Sequence, residues 1–523
     1  MEWIVLGEKS GKIRLVSKSG TTGILPKGSY LTIDLPNTGS KFILRVDDTE
    51  QSEPYSPSPL IVDMDLSPLK QDQACQNLIT AYRVKDVNTR SDGLIDFIPP
   101  QSIARRSTQD EIDLALGGDR NGPKVFVATL HAGQNQPLRD EAGSHITATL
   151  PDDMFFHQVL ICGKTGSGKT VATKYLAQYF TEKLEGAVLA INVKDVDFLK
   201  MDRPSITTNP DVISEWGALG ENARGMDNFI VYYPANIAID PSQGVTAELC
   251  KKITLDVTRI EPEALTGLLE GISDTGAMNF PNIFRWWQNE QRNRRGDVFT
   301  FGDFVRYFSE AVENGREFHT MNIRGDVSMV TLHKGTCDNI LRNLDFALDF
   351  FDNRDASCLD ETDILVPGKM SVINVAGNKG IQFGSVLLRD LLHRIVDAKD
   401  RQRSRVKILI IIDEVHQFYN TDSSKEALGD LDTICRTGRS KHIGVIFSSQ
   451  NPTDIPKGLA SVINTKIFFK SDISSAKSFG VRVSEEEMES LKKGYAVAII
   501  HELSQLKVLK FPMSLSGVFE GAK

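Results

Sequence analysis

The chain has 523 residues, of which 40% are hydrophobic, 25% charged and 8% aromatic. These are ordinary globular proportions, with material for large cores and roughly three or four folded units. The 69 acidic and 60 basic residues give a formal charge of −9. That excludes a surface coated in positive charge for nonspecific nucleic-acid binding, while leaving room for a local basic channel.

The N-terminal stretch Met1–Gly7 lacks the basic and long apolar segments of a signal peptide. The longest aliphatic runs, such as Ile408–Ile412, are far too short to span a bilayer. Cys75, Cys162, Cys250, Cys337, Cys358 and Cys435 form no C-x-x-C pair and read as free buried thiols in a reducing compartment. The expectation is a soluble cytoplasmic protein with no membrane partner.

Along the first 45 residues, Trp3–Leu6, Lys12–Val16, Tyr30–Leu35 and Phe42–Val46 are apolar runs separated by turn residues. That spacing predicts a small sheet or barrel. Gln51–Pro59 is rich in Pro and Ser and breaks regular structure. A helix is expected near Ala74–Val84 and a strand at Val125–Leu130, and polar residues His131–Gly143 mark a boundary. The first domain is therefore set at 1–145.

From about residue 155, buried apolar strands alternate with helical patterns, as in a parallel sheet with crossover helices. The expected strands are Val159–Cys162, Val188–Val193, Phe229–Tyr233, Met370–Val375, Lys407–Ile412, Ile443–Ser448 and Lys466–Lys470. They assign 146–240 and 366–480 to an α/β core. Between them, 241–365 reads as a helical insertion without strands, from the periodicity of Glu263–Glu270, Asn282–Gln291, Phe301–Glu313 and Asn339–Phe351. The tail, 481–523, carries strand-like runs at Tyr495–Ile500 and Leu506–Phe511.

Gly163-Lys164-Thr165-Gly166-Ser167-Gly168-Lys169-Thr170 is a full G-x-x-x-x-G-K-T between an apolar strand and a helical pattern. Its glycines let backbone N–H groups curl around a phosphate at a helix N-terminus. Lys169 is placed to reach the β- and γ-phosphates of ATP, and the Thr170 hydroxyl to ligate Mg²⁺. Downstream, Ile408–Ile412 forms a strand buried on both faces that ends in Asp413-Glu414. Ligands bind at that edge of open α/β sheets. Asp413 is expected in the Mg²⁺ shell and Glu414 as the base for the attacking water, a pairing that favours ATP hydrolysis over kinase or GTPase chemistry. His416 fits a surface role as well as a catalytic one.

A helical stretch then ends in Arg436-Thr-Gly-Arg439, and the next strand leads to Ser449-Gln450-Asn451-Pro452. The Gln450 amide can sense the γ-phosphate or the water. Arg436 and Arg439 share a helical face. Either can charge-stabilise a phosphate, though arginines at a helix C-terminus also serve as dipole compensation.

Together, GKTGSGKT, IIIDEVH and the block from Arg436 to Pro456 resemble the HerA branch of the HerA/FtsK superfamily of hexameric DNA-pumping ATPases. The resemblance implies a RecA-like P-loop core with a mostly parallel sheet, a helical insertion and a small N-terminal β-barrel. It implies a homohexamer with ATP between neighbours, an arginine acting in trans and double-stranded DNA in the central channel. It also implies a companion nuclease or NAD-consuming effector, docked on the barrel, in DNA end processing or antiphage defence. The loop Asn192–Asp197 departs from the family's usual Asp/Gly/Glu-containing turn, and no role is assigned to it. Lys379, in the expected loop Asn378–Gly380, is the preferred DNA-channel residue. Trp286 and Trp287, within the basic stretch Arg285–Arg295, fit either base stacking or a packed core. An ATP-gated scaffold that assembles an effector with little DNA movement uses the same motifs and stands as the alternative.

Overall fold

The computed structural model describes the chain except residues 1, 18–24, 37, 53–75, 89–93, 119, 132–133, 195–196, 241–242, 270–271, 416–433, 456 and 521–523. His416 and most of Gln51–Pro59 lie outside the described residues.

Six antiparallel strands close the N-terminal barrel: β1 (Trp3–Lys9), β2 (Lys12–Ser17), β3 (Tyr30–Leu35), β4 (Ser40–Ser52), β5 (Gln76–Val87) and β6 (Ile103–Arg106). Their order is β1-β2-β5-β4-β3-β6. In β2, Ile13 and Leu15 face inward and Lys12 and Arg14 outward, the alternation a half-buried strand requires. Trp3, Leu31, Ile33, Leu44 and Ile79 fill the interior. The helix expected near Ala74–Val84 is instead strand β5, paired with β2 and β4. Ala74, Gln76, Leu78, Ala81 and Arg83 are helix formers enough to mislead a local reading, and closure of the barrel overrides that preference.

Helix α1 (Gln109–Leu116) links barrel to core. Thr108 and Glu111 form a capping box at its start. Ile112 and Leu116 pack with Tyr30 and Ile43 of the barrel and with Val125 and Val127 of the next strand.

The second sheet has fourteen strands. Its early members are β7 (Lys124–His131), β8 (Gln134–Pro137), β9 (Thr147–Thr149), β10 (Val159–Cys162), β11 (Ala187–Asn192), β12 (Phe229–Pro234) and β13 (Cys250–Thr254). A separate hairpin, β14 (Glu317–Met321) and β15 (Val327–Thr331), precedes β16 (Ser357–Cys358), β17 (Met370–Asn374), β18 (Ile408–Asp413), β19 (Ile443–Ser449), β20 (Thr465–Phe468), β21 (Tyr495–Ile499) and β22 (Val508–Lys510).

The parallel part runs β16-β13-β12-β17-β11-β18-β19-β10-β20, and β21, β22, β7 and β8 continue it antiparallel. Residues 124–149 thus join the large sheet, and the barrel itself spans residues 3–106. Central strands β10, β11, β18 and β19 are buried throughout, which explains why they are mostly apolar, with polar residues only at their C-terminal ends.

The crossover helix α2 (Lys169–Glu182) follows β10. The insertion holds α3 (Asp274–Arg295), α4 (Phe301–Glu313) and α5 (Lys334–Ala347), packed through Phe280, Phe284, Trp287, Phe304 and Phe308. The Phe284 and Phe304 rings meet edge-on at 4.9 Å. The expectation of a strand-free insertion is corrected by β13, β16 and the β14–β15 hairpin. These strands are short and, in β13, half exposed (Lys251, Lys252), so they leave little apolar signal. Long helix α6 (Asn378–Asp400) returns the chain to the core.

Candidate active site

The site lies at the C-terminal edge of the parallel strands. Residues 163–168 turn between β10 and α2. The turn is anchored by Lys164 N–H donating to the Lys470 carbonyl (2.7 Å) and Gly494 N–H to the Ser167 carbonyl (2.9 Å). Gly168 caps α2 with φ 111°, and a Cβ there would lie 2.9 Å from the Gly494 nitrogen. Only glycine fits both conditions.

Lys169 is buried, and its ammonium donates to the Gly163 carbonyl at 2.6 Å. Burial, then the Lys194 charge, lowers its proton affinity, while Glu414 and Asp413 oppose the shift. Thr170 is the second residue of α2. The Ser167 side-chain oxygen is buried without a hydrogen-bond partner among the described residues.

β18 lies beside β19, so Asp413 faces Ser448. Asp413 is 2% exposed, and its Oδ1 accepts from Ser448 Oγ at 2.8 Å. Its Oδ2 is buried with no hydrogen-bond partner among the described residues. Burial raises the Asp413 pKa. An orphaned buried carboxylate oxygen at the sheet edge from which the Thr170-bearing helix starts supplies the oxygen chemistry a hard divalent cation takes, so the residues fit Mg²⁺.

Glu414 is 1% exposed and takes φ 47°, the left-handed region a non-glycine residue seldom enters. Such backbone strain concentrates at functional sites. Its Oε1 accepts from Gln450 Nε2 at 2.9 Å and pairs with the Lys194 ammonium. Burial raises the Glu414 pKa, but Lys194 and Gln450 outweigh burial and hold it below the usual carboxylate value. Gln450 Oε1 also accepts from Thr165 Oγ1 at 3.3 Å, tying the strand tip to the phosphate loop.

The structure therefore brings together the 163–170 loop, Lys169, Asp413, Glu414 and Gln450. Lys194 was missed by the sequence reading, which assigned its loop no role. The available signal was positional: β11 is the neighbour of β18, so the turn after β11 must border Glu414. Asn192 steadies that turn through Asn374 Oδ1 (2.9 Å) and the Phe198 N–H (3.2 Å).

Arg436 and Arg439 are exposed on a helix over 434–441 that leads to the start of β19, the opposite edge of the sheet. Arg439 lies near enough to His157, just before β10, to help depress that imidazole's proton affinity after burial and His501. Among the described residues, no hydrogen bond or ion pair joins Arg439 to the phosphate loop of its own chain.

Lys379 falls in the first turn of α6 and not in a loop, which corrects the expected 378–380 loop. Gly380 allows this tight start, since a Cβ there would lie 2.5 Å from the Val375 carbonyl oxygen. Of the adjacent tryptophans, Trp287 is buried in the insertion core, and Trp286 stacks on His319 at 4.6 Å. Trp287 is a core residue, and half-buried Trp286 packs against that core.

A mononucleotide-type phosphate loop, an acidic pair on the adjacent-but-one strand and a glutamine at the intervening strand tip define a P-loop ATPase. The central domain model of helicase HerA matches residues 140–395, and the helicase HerA-like C-terminal model matches residues 383–470. The chain belongs to the HerA-like P-loop ATPases. No curated protein matches it significantly.

Among solved structures, the bacterial conjugative coupling protein TrwB is 12% identical, with 76% of this chain and 96% of that chain covered and a TM-score of 0.45. VirB4 of Thermoanaerobacter pseudethanolicus is 14% identical, with 76% and 97% covered and a TM-score of 0.45. Among the described residues, no helix is long and apolar enough to cross a membrane.

Proposed function

We propose that the chain is the subunit of a homohexameric, cytoplasmic ATP hydrolase that translocates or unwinds double-stranded DNA. It powers or regulates a partner nuclease or NAD-consuming effector docked on the barrel, in DNA end processing or antiphage defence. The observation that carries the reading is the convergence of Lys169, Asp413, Glu414 and Gln450, from separate segments, on one edge of the sheet of a HerA-like chain.

The backbone N–H groups from Gly163 to Thr170 cradle the β-phosphate of ATP. Lys169 exchanges the Gly163 carbonyl for phosphate oxygens. Thr170 and Asp413 would hold Mg²⁺, which would supply charge neutralisation to the phosphates. Glu414 takes the proton of the attacking water, and the Lys194 ion pair and Gln450 amide keep its carboxylate ionised and oriented. Gln450, bridging Thr165 and Glu414, couples the loop to the β19 tip and reports hydrolysis. Arg439 or Arg436 completes a neighbour's site, a role consistent with their place on the helix that leads into the start of β19, at the sheet edge opposite their own loop.

The DNA part is tested by measuring ATP turnover with and without duplex DNA across salt concentrations. Stimulation that fades steeply with salt is expected, because phosphate contacts release counterions. Lys379→Glu changes one charge per subunit and is expected to reduce that stimulation sharply. DNA-independent turnover contradicts the motor.

A further inference from the structure

A second cavity, of about 490 Å³, lies away from the nucleotide loop, where the barrel meets the large sheet. One wall comes from the barrel: Lys27 and Gly28 before β3, Arg45 and Asp47 on β4, and Tyr82 on β5. The other comes from the core, through β7, β21 and β22, the connecting segments carrying Arg482 and Lys507, and the short helix Glu485–Glu489 carrying Glu487.

Four cations, Lys27, Arg45, Arg482 and Lys507, face two carboxylates, Asp47 and Glu487. Glu487 is engaged by Lys27 at 3.4 Å, and Asp47 is shared with Lys12 at 3.7 Å. Arg482 and Lys507 make no ion pair among the described residues. Arg45 is buried at the joint, with Nη1 donating to the Gln505 carbonyl at 2.6 Å, and Tyr30 donates to the same oxygen at 3.0 Å. The guanidinium is therefore fixed before any ligand arrives.

We propose that this cavity is a second binding site, for a phosphorylated small molecule of nucleotide size. Partial burial, then Arg45, lowers the proton affinity of Lys507, with Arg482 and Lys27 adding to the effect and Asp47 opposing it. Like charges held this close repel, and a bound phosphate relieves the repulsion. The volume lies in the range of small-molecule sites and exceeds what a lone phosphate fills. Val127, Leu130 and Val497, with the Tyr82 ring, supply an apolar surface for the organic part. Because Tyr30, Arg45 and Lys27 also tie the barrel to the core, a ligand here sits on the connection between the two. The inference does not depend on the ATPase reading.

The test uses the full chain carrying Lys169→Ala, which silences the nucleotide loop, and calorimetry with AMP, ribose 5-phosphate and inorganic phosphate as probes. The expected result is saturable binding of AMP, with inorganic phosphate at least about tenfold weaker. Ribose 5-phosphate that equals AMP assigns recognition to the sugar phosphate, and weaker ribose 5-phosphate adds a role for the base. Added to that background, Arg482→Glu and Lys507→Glu should each weaken AMP binding about tenfold or more. Both side chains are exposed at the cavity, and Lys507→Met carries the test if either charge reversal unfolds the chain. Three outcomes overturn the proposal: no saturable binding of AMP or ribose 5-phosphate, AMP affinity indifferent to these substitutions, or inorganic phosphate binding as tightly as AMP. A cavity that serves DNA also overturns it, and would show duplex-oligonucleotide affinity falling in these variants while AMP binding stays unchanged.

Discussion

Glu111 offers a sharp test of how the barrel is held to the ATPase core. It is 4% exposed and accepts from Lys41 Nζ (2.8 Å), Arg105 Nη2 (2.6 Å) and Nη1 (3.0 Å), Thr32 Oγ1 (2.8 Å) and the Thr108 N–H (2.9 Å). One carboxylate thus joins β3, β4, β6 and the start of α1. Gln109, in the first turn of α1, bonds both the N–H and the carbonyl of Thr147 on β9. In Glu111→Ala, Lys41 and Arg105 keep Asp34 as a second partner and are partly exposed, so their loss is discounted to about 1 kcal/mol.

The capping box is worth about 1 kcal/mol more. Thr32 keeps Ser107 at 2.9 Å, which limits its own cost. The sum, about 2 kcal/mol, corresponds to roughly 30-fold faster opening. Hydrogen exchange read by mass spectrometry should show that acceleration in β3 and β6 and leave β10 and β18 unchanged. Glu111→Gln, which keeps one acceptor, should show about half the free-energy loss. Less than about threefold acceleration in β3 and β6, or equal acceleration in β10 and β18, refutes the reasoning.

The same carboxylate sets a pH dependence. Burial raises the Glu111 pKa, but Arg105, Lys41, Thr108 and Thr32 outweigh burial and hold it well below the usual carboxylate range. A depressed folded pKa contributes stability that is present above the unfolded value, about 4.3, and is lost as pH falls toward the folded value. The stability difference between wild type and Glu111→Gln, from urea unfolding, should therefore be constant near neutrality and shrink below about pH 4. A difference that grows on acidification contradicts the assignment.

Gly168→Ala should cost on the order of 1–3 kcal/mol at the phosphate loop, because its φ is positive and its Cβ meets Gly494. Calorimetry should find ATP binding weakened at least tenfold while the barrel's unfolding is unchanged. A mixture of Lys169→Ala and Arg439→Ala chains, each nearly inactive alone, should regain turnover, since some interfaces pair an intact loop with an intact arginine. If subunit exchange is confirmed and no mixing ratio restores activity, the trans role of Arg439 fails and Arg436 takes its place in the same assay.

The parts of this protein legible in its sequence are those whose signal is local. The phosphate loop declares itself because glycine spacing, strand and helix lie within about twenty residues. Strands β10 and β18 do so because burial on both faces leaves nearly unbroken aliphatic runs. What the sequence concealed depends on distant partners. Residues 76–87 become a strand only because β2 and β4 flank them. Lys194 matters only because sheet order sets the turn after β11 against Glu414. Arg45, Arg482 and Lys507 converge across more than 400 residues of chain, and no spacing rule predicts that meeting.

The central claim is that ATP hydrolysis at this site drives movement along duplex DNA. It is tested most directly by displacement of a triplex-forming strand from duplex DNA by the wild-type chain and by Glu414→Gln. The account predicts ATP-dependent displacement by wild type. It predicts none by Glu414→Gln, which should still bind ATP while hydrolysing it orders of magnitude more slowly. Displacement by Glu414→Gln at the wild-type rate, or wild-type hydrolysis of ATP in the presence of DNA with no displacement, contradicts it.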